Sequence, residues 1–291
     1  RNGRQASTAR LQQVRAGQGL RPVRPTGPLH GFLFLPEGDG PFPGVLVVGG
    51  SEGGVPIPRA LWLASHGFAA VALAYFRYEN LPPNLESIPL EYFQTALRWM
   101  AQQPDIIAGR IGVMGTSRGG ELALQLGSMY PEIRAVVAYV PANVRYPACC
   151  GNLRGLPAWT LHGTQMPFFQ GPLIARGRAP SGNAEIQVEQ TRGPILLISG
   201  QEDEVWSSST MADAVVAHLQ KAHFTYPVEH LKYPHAGHNA GWPEIIPATD
   251  KVINPFVNEV TLVGGTPAGN GQSSLDAIPK VLDFLHRALG Q

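Results

Sequence analysis

The stretch from Arg110 to Leu124 limits the fold more than any other part of the chain. It reads Arg-Ile-Gly-Val-Met-Gly-Thr-Ser-Arg-Gly-Gly-Glu-Leu-Ala-Leu, a strand-like run entering a helix-forming run through Gly115-Thr116-Ser117-Arg118-Gly119. Those five residues fit the pattern G-x-S-x-G, in which a serine sits on a turn too sharp to accept side chains two residues to either side. The hydroxyl then stands clear of the sheet, beside the free backbone N–H groups at the start of a helix. An acyl-transfer oxyanion needs such donors. Ser117 is therefore the expected nucleophile.

Glycine is 34 of 291 residues, so a short glycine pattern arises by chance, and a second match stands at Gly49-Gly50-Ser51-Glu52-Gly53. Context separates the two. Ser51 follows a good strand at 44–48, but Pro56 and Pro58 come soon after it and forbid an uninterrupted helix. Behind Ser117, Leu122, Leu126 and Met129 fall on one helical face.

A serine hydroxyl needs a base to take its proton and a carboxylate to hold that base in the right tautomer. In an α/β-hydrolase arrangement these follow in the order Ser, acid, His. The strand-like run from Pro194 ends in Gly200-Gln-Glu-Asp203, which offers Asp203, with Glu202 as the alternative acid. The next strand-like run leads to three histidines. His230 falls inside the strand, His235 is an alternative, and His238 follows Gly237 on the loop and is the expected base. A metal pair of His235 and His238 lacks a third ligand at motif spacing, so no metal is expected. Two backbone N–H groups would form the oxyanion hole, that of Arg118 after the nucleophile and that of Ser51 (or Glu52) on the glycine-rich early loop.

The remaining sequence alternates strand-like runs (31–35, 44–48, 68–75, 110–114, 135–140, 194–199, 228–232) with helical ones (59–66, 88–102, 208–220, 274–289). Such alternation predicts an α/β fold, a mostly parallel central sheet with helices on both faces. Residues 141–193 and 239–272 read as long irregular segments rich in Pro and Gly, with one strand-like piece at 257–263. Loops of that length are usually lids or insertions. The aromatics of the first segment, Tyr146, Trp159, Phe168 and Phe169, suit a substrate pocket and a satellite core equally well.

A net charge of +1 argues against a dedicated nucleic-acid binder. No apolar run reaches the ~18 residues of a spanning helix, and none near the start resembles a secretory signal core. The first residue is arginine, as in a processed or truncated start. Six arginines and no acid occur in the first 24 residues, which we read as a solvated lead or linker over residues 1–27. Residues 28–291 form the expected catalytic domain. The only cysteines, Cys149 and Cys150, are neighbours, so reduced thiols and a cytoplasmic location are expected.

The strings Gly50-Ser-Glu-Gly-Gly, Ile88-Pro-Leu-Glu-Tyr-Phe, Gly115-Thr-Ser-Arg-Gly-Gly, Tyr233-Pro-x-Ala-Gly-His and Gly264-Gly-Thr-Pro-Ala carry a resemblance. Over residues 28–290 the chain resembles the C-terminal catalytic domain shared by acyl-CoA thioesterases and bile acid-CoA:amino acid N-acyltransferases, within the dienelactone hydrolase-like group. The resemblance implies a triad at Ser117, Asp203 and His238, a small-molecule acyl thioester or ester substrate, and no cofactor. It also implies an N-terminal β-sandwich domain that the short lead does not supply. The transferases place cysteine at the elbow, and serine at 117 tilts the expectation towards hydrolysis. Ester hydrolysis, acyl transfer to an amine and a non-catalytic binding module are the rival readings.

Overall fold

The computed structural model describes residues 22–149, 155–173, 178–243, 249–254 and 259–290. The elements, in chain order, are β1 (His30–Phe34), β2 (Phe42–Val48), α1 (Ile57–Ala64), β3 (Ala69–Ala74), β4 (Ile88–Pro89), α2 (Glu91–Ala101), β5 (Ile106–Thr116), α3 (Arg118–Met129) and β6 (Ile133–Tyr139). They continue with β7 (Trp159–Leu161), β8 (Thr164–Gln165), a 3₁₀ turn (Val188–Gln190), β9 (Ile195–Gly200), α4 (Ser208–Lys221), β10 (Val228–Tyr233), β11 (Lys251–Asn254), β12 (Glu259–Leu262) and α5 (Pro267–Leu289).

Seven strands form the main sheet in the order β1-β3-β2-β5-β6-β9-β10. Every neighbouring pair is parallel except β1 with β3. The strands alternate strictly between two buried layers. Val48, Leu46, Val113, Val136 and Leu197 face a layer completed by residues of α2, α3 and α4. Val45, Val47, Met114, Val137 and Ile198 face the other, with Leu63 of α1 and Val281, Phe284 and Leu285 of α5. A sheet covered on both faces is the reason these strands read as near-continuous apolar runs rather than alternating ones.

Four differences from the sequence reading stand out, beside the two residues Ile88 and Pro89, which form β4 rather than the start of the expected helix. Within the segment expected to be irregular, β7 and β8 join β4 in a separate three-stranded sheet. The second irregular segment holds a two-stranded pair, β11 with β12; of the strand-like piece expected at 257–263, residues 257 and 258 lie outside the described residues. Helix α5 begins seven residues earlier than periodicity suggests, at Pro267. Thr266 caps it, its hydroxyl accepting the Gly269 N–H at 2.9 Å, so a cap and an N1 proline prevail over the glycines that follow.

The fourth difference is chemical. Cys149 is disulfide-bonded and no described cysteine is free, which overturns the expected pair of reduced thiols and the compartment argument built on it. Cys150, the other cysteine of the sequence, lies outside the described residues. So do the arginines at 1, 4, 10, 15 and 21. Residues at the end of the expected lead are attached to the sheet: Val23 pairs with Leu33 of β1 through two backbone hydrogen bonds, and Arg24 binds Glu79 at 2.9 Å.

Candidate active site

Strand β5 delivers its last residue, Thr116, straight into the turn at Ser117, whose φ of 58° and ψ of −120° lie where only a constrained residue stays. Packing around the turn enforces this. A β-carbon on Gly115 would overlap the carbonyl of Gly119, and one on Gly119 would overlap that of Gly49. The Ser117 N–H donates to Tyr139 O at 2.9 Å, tying the turn to the end of β6, and its carbonyl accepts the Glu121 N–H at 3.0 Å as α3 starts. The glycine positions are therefore steric requirements of the elbow rather than tolerances of a loop.

Ser117 Oγ lies 2.8 Å from His238 Nε2, and His238 Nδ1 lies 2.8 Å from Asp203 Oδ2. The Asp203 carboxylate is 1% exposed, and its other oxygen accepts the N–H groups of Val205 (3.0 Å) and Trp206 (3.2 Å). A buried carboxylate with three donors is held in one orientation. The three side chains come from loops after β5, β9 and β10, all at the carboxyl ends of strands in the parallel part of the sheet, where open α/β sheets place their sites.

The alternatives lead elsewhere. His235 pairs with Glu202 at 2.8 Å on the exposed surface, so the alternative base and the alternative acid bind each other. The His230 ring hydrogen-bonds Ser199 Oγ at 2.7 Å and faces Asp213 at 3.3 Å. Burial holds its pKa below the ordinary value of 6.5, with Lys232 acting in the same direction and Asp213 opposing. Among the described residues, no three His, Cys, Asp or Glu side chains converge as a metal site.

Ser51 lies in a turn after β2, and α1 starts only at Ile57. That glycine-rich loop packs against the elbow: a β-carbon on Gly50 would sit 3.3 Å from Ser117 Cβ and 2.9 Å from Thr116 O. Tyr75 Oη donates to Gly49 O at 2.7 Å, and the Gly50 N–H donates to Glu52 Oε1 at 2.9 Å. The loop expected to complete the oxyanion hole is thus adjacent to the serine and fixed from two sides.

Sequence reasoning missed the framework that aligns these groups. The Arg118 side chain donates to Pro147 O (2.7 Å) and Tyr146 O (3.0 Å) and pairs with the fully buried Glu121 at 3.1 Å. Glu121 also accepts the Trp159 indole N–H at 2.7 Å. Burial raises the Glu121 pKa, against the lowering effect of the Arg118 guanidinium. Arg145, also buried, donates to the Gln125 side chain and to three carbonyls at 167, 183 and 185. Two desolvated guanidiniums thus clamp the irregular segment onto α3. The aromatics divide accordingly: Trp159 belongs to the main core and Tyr146 to a satellite cluster with Trp206 and Met211.

On the far side, residues 263–265 brace both loops. The His238 N–H donates to Val263 O at 2.6 Å, the Gly265 N–H donates to Glu202 O at 3.1 Å, and Asp203 and Ala236 form bridges to Gly264 and Gly265. The buried Asn270 side chain accepts the Gly237 N–H (2.8 Å) and donates to Gly264 O (3.1 Å) and Thr249 O (2.7 Å). The signal in the sequence was the string Gly264-Gly-Thr-Pro-Ala, which carried resemblance but no stated role.

No described helix is long and apolar enough to cross a membrane. In solved structures, an α/β hydrolase enzyme from a Medee basin deep-sea metagenome library is 18% identical, with a TM-score of 0.58 covering 94% of this chain and all of that one. A dienelactone hydrolase-like promiscuous phosphotriesterase from metagenomic libraries is 17% identical, with a TM-score of 0.57 over 92% and 97%. These likenesses establish the α/β-hydrolase fold. By sequence, human acyl-coenzyme A thioesterase 6 is 33% identical over 289 residues, which cover 95% of this chain and 67% of the relative. The chain spans about two thirds of the length of the curated relatives it matches. The family model "BAAT / Acyl-CoA thioester hydrolase C terminal" matches residues 88–153 and 164–291. With most of its length so matched, the chain belongs to the BAAT / acyl-CoA thioester hydrolase C-terminal family.

Proposed function

We propose that residues 28–291 form a serine hydrolase domain that cleaves acyl thioesters, acyl-CoA to free acid and CoA, through an acyl-Ser117 intermediate. The observation that carries this reading is the unbroken chain of 2.8 Å contacts from Ser117 Oγ through His238 to Asp203, in a chain of this family. His238 Nε2 takes the Ser117 proton as Oγ attacks the thioester carbonyl. Asp203 keeps the other imidazole proton on Nδ1 and stabilises the imidazolium that forms. The oxyanion is received by the backbone N–H groups of Arg118 and Ser51. The tetrahedral intermediate collapses as the C–S bond breaks, and the thiol leaves with the proton from His238. Water, deprotonated by His238, then attacks the acyl-serine ester and releases the acid. Each step balances with the side chains named and water alone, so the scheme calls for no metal or organic cofactor.

Serine at the elbow favours water as the acceptor. An acyl-serine ester is a weaker acyl donor to amines than the acyl-cysteine thioester of a transferase. The test is product analysis by mass spectrometry after incubation with acyl-CoA of several chain lengths, alone and with glycine or taurine. Free acid formed faster than N-acyl product supports the reading. N-acyl product formed faster replaces it with acyl transfer, and turnover of matched p-nitrophenyl esters without thioester turnover replaces it with ester hydrolysis.

A further inference from the structure

Trp206, three residues beyond the acid, has no part in the scheme above, yet it contacts both the base and the acid. Its ring centroid lies 5.7 Å from that of His238 at an interplanar angle of 74°, an edge-to-face arrangement. Its backbone N–H is one of the donors on Asp203 Oδ1. Its indole N–H donates to Val140 O at 2.9 Å, at the residue after Tyr139, whose carbonyl accepts the Ser117 N–H. The side chain is 2% exposed. The indole also stacks on Tyr146 at 5.4 Å and 27°, and Tyr146 in turn meets Phe169 edge to face at 5.9 Å.

We propose that Trp206 is a positioning residue for the base: its indole walls the His238 ring into the orientation that joins Ser117 to Asp203. This inference rests on the assignment of His238 as base. The two hydrogen bonds at Nε2 and Nδ1 define the imidazole plane but leave its flank open to water and to rotation. The indole fills that flank. Its own orientation is fixed by the bond to Val140 O at the end of β6, so the flank is referenced to the same strand end that holds the elbow. The stack on Tyr146 joins the far part of the indole to the segment clamped by Arg118 and Arg145.

Trp206→Leu removes the ring. It should lower kcat about 10- to 100-fold, the scale of a misplacement near 1 Å, with KM changed far less. Trp206→Phe keeps a ring against His238 but cannot reach Val140 O. It should recover most of that loss while still displacing the pH profile of kcat/KM. Tyr146→Leu removes the ring stacked on the indole, reports on packing alone and should cost stability without displacing the profile. If Trp206→Phe and any folded Trp206→Leu protein both match the unaltered protein in kcat and pH profile, Trp206 is a core residue only and the proposal falls. It falls too if Trp206→Leu and Tyr146→Leu lose activity in step with stability and share one profile. Should Trp206→Leu fail to fold, the Phe variant decides. Labelling of the unaltered protein by a serine-directed phosphonate separates this from the underlying reading. No label at Ser117 sinks the triad itself, whereas a label with unchanged rates in the Trp206 variants sinks only the positioning role.

Discussion

Ser117 stands on a turn whose two required glycines lie within five consecutive residues and pack on the ends of β2 and β6, whereas Asp203 and His238 are held by a segment some 60 and 25 residues further on, respectively, at 263–270. On the elbow side, steric overlap does the positioning: glycines at 115 and 119 allow the chain to pass where any side chain would collide. On the acid and base side, backbone and amide hydrogen bonds do it, with Asn270 joining three separate stretches of chain. The elbow is closed by contacts within the main sheet, to Gly49 and Tyr139, whereas the acid and base loops are closed only when the C-terminal part has docked. The two halves of one site should therefore respond differently to mutation.

The largest effects belong to the residues themselves. Ser117→Ala should lower kcat about 10⁴- to 10⁶-fold with the fold intact by circular dichroism, and His238→Ala should be comparable because the two act as a unit. Asp203→Asn should cost somewhat less. A serine-directed phosphonate should label Ser117; label at Ser51 would place the nucleophile on the other glycine loop. The next effect tests the comparison directly. Asn270→Ala leaves the buried Gly237 N–H and two carbonyls without their partner, which costs about 1–3 kcal/mol per unsatisfied group. It should lower both the thermal midpoint and kcat, whereas phosphonate labelling of Ser117, though slower, should remain confined to that residue. Full activity in a destabilised Asn270→Ala protein would break the claim that this brace aligns the base.

A smaller effect concerns pH. The His230 pKa lies below 6.5 in the folded protein, so the unfolded chain takes up the proton first as pH falls. The contribution is complete above 6.5 and is lost as pH drops through the folded value. Denaturant midpoints compared at about pH 7.5 and 5 should fall less steeply in His230→Gln than in the unaltered protein. An equal slope in both would remove His230 as the source. The smallest effect is His235→Ala, whose ring binds Glu202 on the exposed surface. Its steady-state rates should change less than about twofold, as expected for an exposed ion pair. A loss matching that of His238→Ala, with sensitivity to a chelator, would favour a metal pair over the Ser–His–Asp scheme.

The same contrast explains what could be read from the chain alone. Strands buried on both faces, and a glycine-bounded serine between a strand and a helix, announce themselves in short windows, so the parallel sheet and the elbow were visible. Asp203 and His238, the proposed acid and base, were reachable because chain order and the glycine turns at 200 and 237 point to them. The side-chain roles of Arg118, Glu121, Arg145 and Asn270 were not, since each acts through a partner 18 or more residues away as well as through near neighbours. The small sheet of β4, β7 and β8 was hidden for a related reason. Strands of two or three residues have no periodicity to detect and exist because Ile88 and Pro89 happen to meet Trp159 and Thr160. The early start of α5 was legible in Thr266-Pro267, but a run of glycines masked it.

The bond from the His238 N–H to Val263 O carries a further consequence for how the protein comes into being. A chain emerges from the ribosome at about 5–20 residues per second and folds from its N-terminal side. All seven strands of the main sheet, and the three side chains of the proposed site, precede residue 239. The segment that anchors the histidine loop, and the helix that seals the sheet beneath it, are translated later. A nascent chain thus carries Ser117, Asp203 and His238 before the stretch that anchors the histidine loop has been made.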